Sequence, residues 1–395
     1  MTLMRWASHV IYSLVESRLR VALFAGAMLL PQAAVADQSF GTPVPERFGE
    51  FQWLSPWIES GGSYEEGRDG RFRIFSASFG GRWVGDLSRY RAGEFLEAQV
   101  SFGTRSLVAS PLRYSRLEET ELSPTLIDGF AGVSGSWGRL RFGLLPLMFG
   151  TESGVESERI WIRPLIVRRG LIGLRDVGLH YSVSSGGFFS DWFVHNGEGG
   201  EDLDRELWMT ARWEYRLRTS RMQWRWGASG QVGRTAPAST LPSGTTADPG
   251  IELDPTEPSR LRFASLYMAS DWVVGQGERG EESDRRFGFE LEAFGGEVLQ
   301  DARSRRIRSL RMDFHWDPTD FWGLFLRGEA YDPDSQVSGD MLHEASFGVQ
   351  RYFLRGSMKR SLRGILVATK EMVENRDQDH HRVEFRLRFS PELFD

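Results

Sequence analysis

The chain of 395 residues contains no cysteine, and its only lysines are Lys359 and Lys370. Without thiols there can be no disulfides and no thiolate metal sites, although that alone does not fix the compartment. Long apolar runs are also missing. The longest, near Leu144 to Phe149, is broken by Pro146 and falls well short of the ~20 residues a spanning helix needs, which excludes an inner-membrane helical protein. The formal charge of −6 gives no overall basic field, and no basic tract or aromatic-basic motif supplies one locally, so nucleic acid is set aside as a partner. Helical periodicity is hard to find after Asp37.

At the N-terminus Arg18 and Arg20 precede the apolar run Val21 to Leu30, followed by Pro31 and the small-residue site Ala34-Val35-Ala36. This pattern predicts a secretory signal over residues 1–36, cleaved before Asp37. The run is too short to be a membrane anchor. Removal of the segment takes away Arg5, Arg18, Arg20 and Glu16, so the exported protein is more acidic than the whole chain.

From there to the end, segments of about ten residues alternate with period two. They are Trp57 to Glu66, Arg71 to Phe79, Glu94 to Gly103, Ile127 to Trp137, Leu140 to Leu147, Val177 to Ser184, Gly187 to His195, Glu206 to Arg216, Met222 to Val232, Leu261 to Val273, Arg286 to Gly296, Ile307 to Trp316, Phe321 to Tyr331, Leu342 to Phe353, Ser361 to Thr369 and His381 to Phe389. About sixteen strands, an even number, predict a closed antiparallel transmembrane β-barrel over residues 37–395. With both termini on the periplasmic side, every second connection should be short, as at Gly138, Ser185-Gly186, 217–220 and 317–319. The alternate set should be long: 104–126, 148–176, 196–205, 233–260, 297–306, 332–341 and 370–380. Residues 80–93 and 274–285 fit poorly, being long where short turns are expected.

A soluble β-sandwich or secreted β-helix would also alternate. Three features favour lipid. Aromatics cluster at segment ends (Trp213, Tyr215, Trp224, Trp226, Trp316, Trp322 and Tyr331), as interfacial girdles require. The opposite faces are charged along many strands. The chain ends on a strongly alternating strand, with Val383, Phe385, Leu387 and Phe389 on one face and Arg382, Glu384, Arg386 and Arg388 on the other.

Between Trp137 and Gly199 the pattern breaks. Strand-like residues run to Leu147, then about thirty residues rich in Arg and Gly intervene, a length uncommon for an idle loop. Within and around that stretch, Leu145-Pro146-Leu147-Met148-Phe149-Gly150, Glu158-Arg159, Arg175-Asp176-Val177-Gly178 and Val194-His195-Asn196-Gly197-Glu198-Gly199 follow one another, with Asp204 and Ala211-Arg212 beyond. In their order these motifs resemble the phosphate-selective porin O and P family of Gram-negative outer membranes, over about residues 127–216. The resemblance implies a sixteen-stranded barrel, commonly trimeric, with a loop (148–176) folded into the lumen as a constriction and an arginine-lined anion path. Family members selective for phosphate use clustered lysines, which this chain lacks, so phosphate selectivity does not follow.

A pore discriminates ions through the charges at its constriction, where partial dehydration amplifies the field. The anion path expected here comprises Arg159, Arg163, Arg168, Arg169 and Arg175 in the loop, with Arg141, Arg212, Arg225, Arg327, Arg386 and Arg388 on inward faces. Glu156, Glu158, Asp176, Glu214, Glu329 and Glu384 lie nearby and would neutralise many of them across strands. Enzyme chemistry has little support, since no Ser-containing motif accompanies His180, His195, His315, His343, His380 or His381. The pair His380-His381 lacks further metal ligands, and the acidic run Glu201-Asp202-Leu203-Asp204 lacks Ca²⁺-loop spacing. No cofactor is expected. The function expected is passive diffusion of small hydrophilic solutes, preferentially anions, through a trimeric outer-membrane porin surrounded by lipid and lipopolysaccharide. The alternative is a non-transporting barrel, an adhesin or envelope anchor.

Overall fold

The structure is a computed structural model. It describes residues 50–65, 71–86, 93–103, 125–151, 163–168, 171–197, 206–235, 258–273, 286–300, 303–319, 321–354, 362–374 and 379–389. The expected signal segment 1–36 lies outside them.

Sixteen strands account for nearly everything described: β1 (Glu50–Glu65), β2 (Arg71–Asp86), β3 (Phe95–Gly103), β4 (Thr125–Gly135), β5 (Gly138–Pro146), β6 (Arg175–Ser185), β7 (Phe188–His195), β8 (Trp208–Arg218), β9 (Met222–Thr235), β10 (Ser259–Val273), β11 (Arg286–Gln300), β12 (Arg303–Trp316), β13 (Trp322–Asp332), β14 (Leu342–Tyr352), β15 (Leu362–Val373) and β16 (His380–Phe389). Each pairs antiparallel with its neighbours in the chain, and β16 pairs with β1, as in Glu59 opposite Arg388, so the sheet closes on itself. Closure leaves no strand edge unpaired, which a spanning sheet requires in hydrocarbon.

The two faces are inverted relative to a soluble fold. Phe142, Leu179, Met312, Leu326, Phe347, Leu366 and Phe385 are exposed on the outside, whereas Glu97, Asp128, Asp191, Glu292, Arg311, Asp313, Arg327 and Arg388 are buried on the inside. Burying such charges while exposing such apolar groups is unfavourable in water and favourable where hydrocarbon surrounds the wall. This decides between lipid and a soluble sandwich. Tight turns sit where they were expected; Gly186 and Gly187, at φ 55° and 84°, supply the left-handed pair that a two-residue hairpin needs.

Strand existence agrees segment by segment with the periodicity, while several strand ends do not. β2 continues to Asp86, past Gly80-Gly81, which carry no side chains to alternate, so the connection expected at 80–93 shortens to 87–94. The long loop expected at 297–306 is instead a hairpin, with Gln300 opposite Arg303 and two residues between them. Here the outer face turns charged while backbone pairing continues, so the alternation fades before the strand ends. The connection at 274–285 keeps its length and lies outside the described residues. Tyr331, expected in an outer girdle, faces inward and is buried.

Candidate functional site in the barrel lumen

The described parts of the segment joining β5 to β6, residues 147–151, 163–168 and 171–174, pack inside the barrel. Its two legs are held together where the Leu147 N–H donates to the Leu174 carbonyl at 2.8 Å. The Gly150 N–H then donates to Ser229 Oγ on β9 at 2.8 Å, and the Thr151 hydroxyl donates to Glu292 on β11 at 3.1 Å while accepting from Arg311 on β12. Glycine is required at position 150. Its φ is +64°, and a Cβ there would lie 2.1 Å from Glu292 Oε1. Further along, Pro164 presets a short helix, α1 (Leu165–Arg168), whose first N–H donates to Glu329 on β13 at 2.9 Å. Arg168 pairs with Glu344 on β14 and also donates through Nε to the Arg163 carbonyl at 3.0 Å. Burial opposes the Arg168 charge, but the Glu344 and Glu329 carboxylates outweigh it and raise its affinity for the proton, so it stays charged. A loop rooted between β5 and β6 is thus bonded to β9 and β11 through β14, on the other side of the lumen.

Apolar packing reinforces these bonds. Leu147, Phe149, Leu165, Ile166, Val167, Leu171, Ile172 and Leu174 of the loop form one buried cluster with Phe193, Leu261, Phe263, Phe294, Val298, Ile307, Tyr331 and Leu342 of the wall. Leu165, Leu171 and Ile172 are each 0% exposed. At roughly 2–3 kcal/mol for each large side chain removed from water, this cluster outweighs the individual hydrogen bonds as the force holding the loop in place.

Toward the other end the lumen wall is polar, and its arginines are paired. Arg141 lies 2.7 Å from Glu97, Arg212 2.9 Å from Asp191, Arg225 3.2 Å from Glu290 and Arg327 2.6 Å from Asp313, while Arg175, at the end where the loop returns, lies 2.8 Å from Asp128. Arg386 joins Glu384 and lies 3.1 Å from Glu59, with Arg388 3.8 Å from the same Glu59. Arg163 and Arg168 belong to the loop as described above; Arg159 and Arg169, with Glu156 and Glu158, fall outside the described residues. The structure does not bring these arginines into one ladder. Around the wall and the described part of the loop, Arg141, Arg168, Arg175, Arg212, Arg225, Arg327, Arg386 and Arg388 each stand beside a carboxylate.

Sequence reasoning missed Arg82 and Arg139, which share Glu97 with Arg141, and Arg311, which sits between Glu292 at 3.0 Å and Asp313 at 3.2 Å. Away from the loop these residues divide the wall into two opposing sectors. From β15 through β16 and β1 to β5, Arg82, Arg139, Arg141, Arg363, Arg386 and Arg388 face Glu59, Glu97 and Glu384; from β9 to β13, Asp271, Glu290, Glu292 and Asp313 stand among Arg225, Arg286, Arg311 and Arg327. The first sector carries a surplus of positive charge, while in the second the arginines and carboxylates balance. Also missed was a chain in which His195 Nδ1 meets Asp176 at 2.6 Å and Nε2 meets Thr210 Oγ1 at 2.8 Å. All three residues are buried, so they tie β6, β7 and β8 together where the loop returns, with no access for a solute.

No protein-family model and no curated relative matches the chain, so the family resemblance stands on its motifs alone. Solved structures do resemble it. A loop-L8 deletion mutant of OmpT, an outer membrane protein of Vibrio cholerae, is 10% identical with TM-score 0.59, covering 86% of this chain and 99% of its own. The trimer form of the same OmpT gives 0.56 at 10% identity, covering 87% and 99%. Salmonella typhi OmpF in complex with daunomycin gives 0.50 at 10% identity, covering 88% and 100%. At such identities the likeness establishes the fold, that of outer-membrane β-barrels.

Proposed function

We propose that the protein is an outer-membrane porin, residues 37–395 following a cleaved signal peptide, that admits small hydrophilic solutes by passive diffusion without catalysing a reaction. The observation carrying this reading is the closed barrel with an apolar outside and a charged inside; the contacts of Gly150, Thr151, Leu165 and Arg168 with the wall support taking the 148–176 loop as its constriction. A homotrimer belongs to the proposal, supported by the trimer form of the Vibrio cholerae neighbour. The charge filter we infer is transverse: arginine surplus on the β15-to-β5 sector faces a charge-balanced wall from β9 to β13. Since most lumen charges are paired, the net anion preference is weak, and no preference for phosphate is proposed.

The apolar cluster around the loop favours a second reading, because packed side chains fill part of the lumen as they would in a plugged barrel serving as adhesin or anchor. Planar-bilayer recording of the purified protein separates the two. Stepwise conductance with a reversal potential displaced weakly toward anions under a salt gradient is expected; barrels that insert but give no steps would establish the plugged form.

A further inference from the structure

The turn joining β13 to β14 carries a run of oxygen donors that the channel does not use. Asp332, Asp334, Gln336, Ser338 and Asp340 stand at every second position, and Gly339, at φ 87°, turns the chain back toward β14. Oxygen donors at alternate positions of a short loop are what wraps a hard cation. The turn is held in shape: the Ser335 N–H donates to the Arg306 carbonyl on β12 at 2.7 Å, the Val337 N–H to the Asp334 carbonyl at 2.8 Å and the Gln336 N–H to Asp334 Oδ1 at 3.1 Å. Gln336 Nε2 donates to the Ser304 carbonyl at 3.2 Å, which leaves its amide oxygen as an acceptor. A fourth carboxylate comes from the end of β15, where the Glu374 N–H donates to the Met341 carbonyl at 2.8 Å.

One oxygen of this group lacks what burial demands. Asp332 is only 9% exposed, and its Oδ1 is buried with no hydrogen-bond donor. A carboxylate oxygen in that position is costly, and a bound cation is one of the few things that satisfies it. The neighbours raise the cost. Asp340 and Asp334 repel Asp332, and burial, with Asp334 and Glu374 alongside, pushes the Asp340 carboxyl up. The positive charges nearby do not cancel the four carboxylates: on β12 Arg308 stands opposite Asp332, whereas Arg306 stands opposite an acid of its own, Glu297, and Lys370 on β15 is taken up by Asp379 at 2.7 Å.

We propose that Asp332, Asp334, Gln336, Ser338, Asp340 and Glu374 form a binding site for one calcium ion at the loop end of β13 to β15. Mutual repulsion holds the carboxylates apart, and no three acidic groups among the described residues converge tightly enough to grip an ion before it arrives. Closing around the ion therefore consumes part of the binding energy, and the affinity is that of extracellular calcium modules, a Kd of about 10⁻⁴–10⁻³ M. Mixed carboxylate, amide and hydroxyl donors on a turn that must adjust suit Ca²⁺, which accepts irregular coordination, better than Mg²⁺, which demands a near-ideal octahedron. Bound calcium joins the β13–β14 turn to the end of β15, above the strands whose Glu329 and Glu344 hold α1. The site exists whether or not the barrel conducts.

The test is isothermal titration calorimetry of the full-length folded protein in detergent, with calcium chloride as probe and magnesium chloride at matched ionic strength beside it. The wild type is expected to take up one Ca²⁺ per chain, about tenfold or more tighter than Mg²⁺. D334N/D340N, which removes two carboxylates from the turn, is expected to weaken Ca²⁺ binding about tenfold or more, while E206Q, at an acid outside the turn, stays within about twofold of wild type. No saturable Ca²⁺ uptake by the wild type overturns the site. So does wild-type binding in D334N/D340N, or uptake of Mg²⁺ as tight as that of Ca²⁺, which would be counter-ion screening of surface acids. If the double variant fails to fold, D340N alone should weaken binding severalfold, and unchanged binding there overturns the proposal equally.

Discussion

The two ends of the lumen are held by different forces. Where the loop enters, aliphatic side chains such as Leu165, Leu171 and Ile172 are packed out of contact with water. Beyond it the wall is built of ion pairs such as Arg141 with Glu97 and Arg225 with Glu290. Apolar burial has no direction and scales with area, so it fixes how far the loop reaches across the pore. Charges act by sign and geometry, so they fix the field a solute meets. Pore size and ion preference should then be separable by mutation.

The largest effect is expected from Leu165→Asp. A carboxylate placed in this fully buried position costs several kcal/mol, more than the local hydrogen bonds of the loop supply, while no strand pairing is touched. The loop should leave the wall, and single-channel conductance should rise severalfold with little change in reversal potential. Leu165→Ala, losing about 2–4 kcal/mol of packing, should give a noisier channel of intermediate size. Wild-type conductance in the aspartate variant would mean that the apolar cluster does not hold the constriction.

The barrel was largely legible because lipid outside and water inside impose period two on every strand; the sixteen segments from Trp57 to Phe389 each correspond to one strand. The periodicity failed where that contrast ends. Strands β11 and β12 run on to Gln300 and Arg303 beyond the apolar band, and the Gly80-Gly81 pair in β2 has no side chains to register a face. The apolar cluster was hidden for a different reason. Leu261, Phe263, Phe294 and Ile307 lie on faces where water was expected, and the one clue was Leu165-Ile166-Val167 and Leu171-Ile172 in a loop with no lipid to meet. Ion-pair partners were out of reach altogether. Glu97 draws Arg82 and Arg141 from residues 15 and 44 positions away, and alternation assigns a face without assigning register.

A smaller effect, but one of opposite sign in the two sectors, should follow from removing single wall charges. Glu97→Gln leaves Arg82, Arg139 and Arg141 without their shared carboxylate and should shift the reversal potential toward anions by about two- to threefold in permeability ratio. Arg225→Gln relieves Glu290 of a partner and should shift it toward cations by a similar factor. Conductance should change little in either case, since neither residue contacts the loop. Shifts of the same sign would break the two-sector description while leaving the constriction intact.

The smallest effect is expected where the two regions meet, at Thr210→Val. Valine keeps the shape of threonine but removes the hydroxyl that His195 Nε2 meets at 2.8 Å, leaving a buried ring nitrogen unsatisfied at a cost of about 1–2 kcal/mol. Because His195 and Asp176 secure the strand on which the loop returns, the loss should appear as a few degrees in thermal unfolding, with conductance and reversal potential unchanged. A change in either electrical property would show that the Asp176, His195 and Thr210 chain transmits to the pore. Unchanged values confine it to holding β6, β7 and β8 in register, the common base from which the apolar and charged regions are both built.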